Sequence, residues 1–285
     1  MARRYLCFIP SLPNNWGASK CCRWGDCDCE LNNVNNVCTF VRSSTVTHCY
    51  FANARGLLSK IDILRDTAAC SSLHIIGIAE TFLNSSISDA EVQIDGFKLY
   101  RKDRNCFKAG KGGGVVLYIR DDIVSSDCVA LNDLHCESIW ADICLDASCT
   151  IVIGVCYKSQ AAEEMELKNL FSAIKKAACK QTVIMGDFNY PNIDWPSLNT
   201  DGVKSSEFRD LILENYLVQK TNEPTRVSNI LDLVLCSYDA MIERVDIVEH
   251  LGDSDHNALM WNINYDACKP NLLCAKNNIT KVIIQ

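Results

Sequence analysis

The apolar run Thr182-Val183-Ile184-Met185 stops abruptly at Gly186-Asp187-Phe188-Asn189. A short apolar run ending at polar residues reads as a buried strand whose end presents a carboxylate and a carboxamide. Asp187 and Asn189 lie two apart, so an extended backbone points both side chains the same way. The acid can hold a cation or a proton, and the carboxamide offers both a donor and an acceptor. That pair suits a phosphate ester held beside a hard metal ion. The same spacing also makes a strand-end Asx turn. Ser254-Asp255-His256, a second acid beside a histidine, favours the chemical reading.

Other polar residues stand at similar places. Asn53, Glu80 and Tyr157 each close an apolar run. Asp232 interrupts Ile230-Leu231-Asp232-Leu233-Val234-Leu235, where a lone charge would be costly, and His256 is a natural partner for it. Acceptors at strand ends together with one imidazole fit metal-assisted phosphodiester hydrolysis. Taken singly, each has a plainer reading. Asn53 is then a turn residue, Glu80 a helix cap, Tyr157 a strand aromatic and His256 a loop histidine.

Strand patterns alternate with helical ones along the chain. Strands are predicted over 46–52, 73–79, 97–101, 114–119, 138–145 and 150–157, then up to Met185, and near 230–236, 243–248 and 258–263. A helix over 57–69 places Leu57, Ile61, Leu64 and Ala68 on one face. A second over 163–178 turns Leu167, Leu170, Phe171 and Ile174 inward, and a third covers 205–215. The short turn between 138–145 and 150–157 predicts an antiparallel hairpin. Mixed hairpins and crossovers predict an α/β fold of two packed mixed β-sheets flanked by helices. Residues 46–265 form this domain. Residues 1–45 read as a poorly ordered Cys/Asn-rich leader, and 266–285 as a C-terminal tail. Cys21, Cys22, Cys27 and Cys29 lack the second pair that a zinc site at finger spacing needs.

At 285 residues and 48% hydrophobic content, the chain is long enough to bury a sizeable core. No apolar run reaches the length of a membrane span. Met1-Ala2-Arg3-Arg4 precedes an apolar stretch too short for a secretory signal. Several of the eighteen cysteines, among them Cys144, Cys156 and Cys236, sit in strand-like runs as small hydrophobes. Reduced thiols in a nuclear or cytoplasmic compartment are expected, although sequons at Asn84 and Asn278 point weakly toward secretion. A net charge of −7 argues against a wholly basic nucleic-acid coat but suits a carboxylate-lined metal site. Arg101, Lys102, Arg104, Lys108 and Lys111, leading into Gly112-Gly113-Gly114, form a local basic cluster able to contact a phosphate backbone or simply face solvent.

Five motifs occur in order: Asn53-Ala54-Arg55-Gly56-Leu57, Ala79-Glu80-Thr81-Phe82-Leu83, Gly186-Asp187-Phe188-Asn189-Tyr190-Pro191, Ile230-Leu231-Asp232-Leu233-Val234 and Ser254-Asp255-His256. Together, over roughly residues 46–264, they resemble the endonuclease/exonuclease/phosphatase superfamily. The narrower similarity is to apurinic-type endonuclease domains of non-LTR (LINE-like) retrotransposons. It is supported by Tyr100-Arg101-Lys102-Asp103-Arg104, Gly112-Gly113-Gly114-Val115, Ile193-Asp194-Trp195 and Pro224-Thr225-Arg226.

The resemblance implies a four-layered α/β sandwich that nicks double-stranded DNA with Mg²⁺ or Mn²⁺ and leaves a 3′-hydroxyl. It makes Glu80 the principal metal ligand, with Asn53 orienting the metal or the phosphate and Asp255 completing the metal side. Asp187 would align the attacking water or assist the leaving oxygen, and Asn189 would bind a phosphate oxygen. Tyr157 would contact the phosphate or leaving group, and His256 would act as base or transition-state donor, oriented by Asp232. Arg101, Lys102, Arg104, Lys111 and Arg226 would contact DNA. Three departures stand out. Arg55 replaces an acid that many relatives carry, Lys158-Ser159-Gln160 replaces Arg-Pro-Pro, and no reverse-transcriptase segment follows. Two alternatives remain: a phosphomonoesterase or phosphodiesterase of the same fold acting on a small phosphorylated substrate, and a non-catalytic nucleic-acid-binding remnant.

Overall fold

Period-two alternation along the apolar runs decides how this chain layers. In Cys149–Tyr157, residues Ile151, Ile153, Val155 and Tyr157 face one core, while Val152 and Cys156 face another. A strand apolar on both faces must be covered on both. The computed structural model describes residues 46–104, 112–146 and 149–264, with short strands at Tyr5–Leu6, Leu31–Asn32 and Val37–Phe40. The chain divides into two units, Met1–Thr45 and Val46–Gln285. In the first, the three short strands pair antiparallel. Most of the predicted leader, its four clustered cysteines, Lys108, Lys111 and the tail lie outside the described residues.

The second unit holds the strands Val46–Asn53 (β1), Ile75–Ala79 (β2), Phe97–Lys102 (β3), Val115–Arg120 (β4), Val124–Asp127 (β5) and Ser138–Asp146 (β6). They are followed by Cys149–Tyr157 (β7), Thr182–Asp187 (β8), Val218–Gln219 (β9), Asp232–Cys236 (β10), Val245–Val248 (β11) and Ala258–Asn264 (β12). The main helices are Ile61–Cys70 (α1), Glu164–Ala178 (α2) and Val203–Glu214 (α3). One six-stranded sheet has the order β11-β12-β1-β2-β4-β3, and the other β9-β10-β8-β7-β6-β5. In each sheet one pair is parallel, β1 with β2 and β7 with β8, and the other pairs are antiparallel. A parallel pair needs a crossover, and α1 and α2 supply the two. The β6–β7 hairpin is antiparallel as expected.

Three cores follow from the faces. Cys49, Phe51, Ile75, Leu117, Ile151, Ile153, Val155, Val183, Met185, Leu259 and Trp261 fill the space between the sheets. Leu57, Ile61, Leu64 and Ala68 cover the outer face of the first sheet at Tyr50, Ala52, Ile76 and Ile78. Leu170, Ile174, Phe208 and Leu211 cover the second at Val152, Ile184, Leu233 and Leu235. The result is the predicted four-layered sandwich. The sheets approach closely at Gly77, where a Cβ would overlap Met185 Sδ and lie 2.8 Å from Val155 Cγ2.

The same alternation delivers the polar residues to one place. Asn53, Tyr157, Asp187 and Asp232 are the next inward positions after Phe51, Val155 and Met185, or before Val234. They therefore end the inter-sheet core at one rim.

Candidate active site

Three chain segments turn sharply at this rim. Arg55, Glu80 and Asn189 adopt left-handed backbone, with φ of +43°, +49° and +49°. Such conformations are uncommon for non-glycine residues and persist only where surrounding contacts hold them. The Gly56 amide donates to the Glu80 carbonyl at 2.8 Å, and the Asn189 amide donates to Asp187 Oδ1 at 3.1 Å. The second contact is the Asx turn that the spacing allowed. Here the turn and the chemical reading coexist, because Asp187 keeps its other oxygen for a neighbour.

That neighbour is Asn53. Its fully buried Nδ2 donates to Asp187 Oδ2 at 2.9 Å and to Glu80 Oε1 at 2.9 Å. The Arg55 amide donates to Asn53 Oδ1 at 3.1 Å and fixes the carboxamide. Two carboxylates from different sheets thus meet through one amide. Burial raises the Tyr157 hydroxyl well above its ordinary pKa, helped by the nearby Glu80 and Asp187 charges and a hydrogen bond to Glu80. Tyr157 is a neutral donor here.

Beside Asp187 stands a second pair. His256 Nδ1 and Asp232 Oδ2 are 2.8 Å apart, and both residues are buried. Burial opposes charge on the imidazole, yet the Asp232 hydrogen bond and charge prevail and raise the His256 pKa. Asp187 is pushed well above the usual carboxylate range by burial first and by Asp232 second. Ser254 Oγ donates to the Asn53 carbonyl at 2.7 Å and accepts the His256 amide at 3.2 Å. The histidine loop is thereby stitched to the end of β1.

Glu80 and Asp187 offer the oxygen donors that a hard divalent cation takes, and Asn53 Nδ2 orients both carboxylates. Asp187, Asp232 and His256 each offer a ligand atom within 4.8 Å of the others, and Asp232 Oδ1 is buried without a hydrogen-bond partner. With His256 Nδ1 committed to Asp232, the oxygen-rich side of this group suits the cation better.

The structure brings Asn53, Glu80, Tyr157, Asp187, Asp232 and His256 together. Asn189 closes the same rim, donating from Nδ2 to the Lys158 carbonyl at 3.0 Å. Asp255, expected on the metal side, instead pairs with Arg55 at 2.9 Å and Arg226 at 2.7 Å. Partial burial opposes its ionisation, but these two cations hold its pKa below the usual range. Arg226, Asp255, Asn189 and Lys158 line a cleft of about 550 Å³ next to the rim.

The described members of the basic cluster, Arg101, Lys102 and Arg104, are directed inward. Arg101 bonds Asp103 at 2.8 and 2.7 Å, Asp89 at 3.0 Å, and the Ile87 and Asn84 carbonyls at 2.8 and 2.7 Å. Lys102 Nζ donates to the Asn132 and Leu134 carbonyls at 2.7 and 2.6 Å. Arg104 pairs with the buried Glu137 at 2.5 Å and lies 5.7 Å from the centre of the Tyr157 ring. Lys111 lies outside the described residues.

Two residues escaped sequence reasoning. Glu137 accepts Arg104 and the Gly114 amide, and a Cβ on Gly113 would overlap both side chains of that ion pair. The Gly112-Gly113-Gly114 stretch therefore accommodates an internal ion pair. Lys158 is buried over the Tyr190 ring at 4.3 Å and donates to the Asn189 carbonyl at 3.2 Å. Burial lowers its pKa despite the attraction of Asp187. The sequence marked Lys158 only as a departure.

Comparison with known proteins agrees with this architecture. An endonuclease-reverse transcriptase family model matches residues 151–260. The chain is similar to the endonuclease domain of TRAS1, a telomere-specific non-LTR retrotransposon. Identity is 17% and the TM-score 0.57, over 76% of this chain and 98% of that one. The fold is the α/β sandwich of two mixed sheets flanked by helices that these nucleases share. A similar fold is that of the AP endonuclease LMAP from Leishmania major, at 13% identity and TM-score 0.56, over 77% of this chain and 88% of that one. A 3′ phosphatase, NExo from Neisseria, bound to a product DNA hairpin, gives 15% and 0.54, over 76% of this chain and 99% of that one. No curated protein matches the sequence.

Proposed function

We propose that this domain belongs to the endonuclease/exonuclease/phosphatase superfamily and is a divalent-metal-dependent endonuclease of retrotransposon origin that hydrolyses phosphodiester bonds in double-stranded DNA and leaves a 3′-hydroxyl. One observation carries the reading. The Glu80–Asn53–Asp187 row and the Asp232–His256 pair share a single rim, next to a cleft lined by Lys158 and Arg226. A TRAS1-like fold and an endonuclease-reverse transcriptase family match support the retrotransposon origin.

Glu80 would hold Mg²⁺ or Mn²⁺ and Asn53 would orient it, supplying positive charge where the phosphate becomes more negative. Asp232 fixes the His256 tautomer, leaving Nε2 to take or give a proton, or to donate to a phosphate oxygen. Asp187 orients the attacking water or the leaving oxygen. Tyr157, neutral beside Glu80, would turn its single hydroxyl hydrogen from Glu80 to the phosphate. Asn189 retains one amide hydrogen for a phosphate oxygen, since the other goes to Lys158.

The test is nicking of supercoiled plasmid with Mg²⁺, its arrest by EDTA, and extension of the nicked ends by a polymerase. Glu80→Ala and His256→Ala are each expected to lower the rate by about 10²- to 10⁴-fold. Parallel assays on a 3′-phosphorylated hairpin and on inositol phosphates separate the phosphomonoesterase reading, for which the NExo likeness is the argument. Plasmid left intact by folded protein would reject the endonuclease.

A further inference from the structure

Lys60 is a buried cation outside the row just described, with a side chain only 6% exposed. It ends the single 3₁₀ turn Leu58–Lys60 that leads into α1. Its Nζ donates to the Ala54 carbonyl at 2.5 Å and pairs with Asp253 Oδ1 at 2.7 Å. Ala54 is the residue after Asn53 and is fully buried. Asp253 immediately precedes Ser254-Asp255-His256. One ammonium therefore joins the loop that leaves β1 to the loop that carries the imidazole.

The packing is matched to that link. Gly252 has φ +63°, and a Cβ there would lie 3.0–3.1 Å from Cγ, Cδ and Cε of Lys60. A glycine thus lets the loop turn and lets the lysine stem lie against it. Burying an ammonium is costly unless its donors are used, and here a buried carbonyl and a carboxylate use them. Asp253 is 90% exposed, so its ion pair contributes little to global stability. What the pair can supply is position. The loop has other ties: Ser254 Oγ to the Asn53 carbonyl at 2.7 Å, the Asn257 amide to the Thr225 carbonyl at 2.8 Å, the exposed Asp255 to Arg55 and Arg226, and His256 to Asp232.

We propose that Lys60 is a positioning residue that pins the 252–257 loop to the end of β1, so that His256 keeps its place relative to Asn53. The proposal rests on the endonuclease reading for its kinetic consequence. A displacement near 1 Å in such a site costs about 10²-fold in rate.

Lys60→Met keeps the stem and removes the charge. The expected result in Mg²⁺-dependent nicking is a kcat lowered by about 10- to 100-fold, with KM changed less than about twofold. Lys60→Arg should recover much of that loss, and amide hydrogens at 254–257 should exchange faster in Lys60→Met. If Lys60→Met does not fold, the surface variant Asp253→Asn carries the test, with faster exchange at 254–257 and a partial loss of kcat expected. Wild-type exchange and wild-type kcat in whichever of the two folds would overturn the proposal. A wild-type protein that does not nick defeats the endonuclease reading instead, while amide exchange still decides whether Lys60 holds the loop.

Discussion

Asp232 serves two neighbours, and their titrations carry the same sign. His256 is raised because the Asp232 hydrogen bond and charge outweigh burial, and Asp187 is raised by burial with Asp232 adding to it. In both cases the native state binds more protons than the unfolded chain, so stability falls as pH rises. With metal removed by chelator, the Asp187 contribution should fade above about pH 4 and that of His256 above about pH 6.5. Asp232→Asn should flatten the plot of melting temperature against pH. It should also slow nicking by about 10²-fold or more, because the imidazole loses its fixed tautomer. At this scale the sequence was informative wherever a polar residue broke an apolar run, since Asp232 had to find a partner. Glu137 and Lys158 broke no run. Their partners, Arg104 and Tyr190, come from other elements, and no spacing in the chain connects them.

Strands whose faces both meet a core were legible because their apolar alternation is continuous, as in β7 and β8. β5, Val124-Ser125-Ser126-Asp127, has no such pattern because it is a mostly exposed sheet edge, and it was not anticipated. The helix expected over 57–69 starts later and is preceded by the 3₁₀ turn that carries Lys60. The basic segment of β3 is bonded within the protein. Arg101 looked like a DNA contact, yet its side chain is 12% exposed and ties β3 to the 84–89 segment and to the buried Asp103. Arg101→Ala should therefore cost about 3–5 kcal/mol by stranding Asp103. That corresponds to a fall in melting temperature on the order of 10 °C. Thermal denaturation checks the loss. DNA affinity and its salt dependence, measured well below the transition, should stay close to wild type.

All three cores of the sandwich draw on residues between Cys49 and Ile263. A fragment of residues 46–265 is accordingly expected to melt within a few degrees of the full chain and to nick plasmid at a similar rate, as calorimetry and the plasmid assay would show. Among the described residues, no helix is long and apolar enough to cross a membrane. Two packed sheets were foreseeable from hairpins mixed with crossovers. Their mutual register was not, because it depends on contacts such as Gly77 against Met185, which come from distant parts of the chain. That register has a consequence for synthesis. Asn53 and Glu80 come from one sheet, Asp187 and Asp232 from the other, and Ser254 reaches Asn53 across 201 positions. A chain emerging from the ribosome would therefore be chemically silent until its last strands arrive.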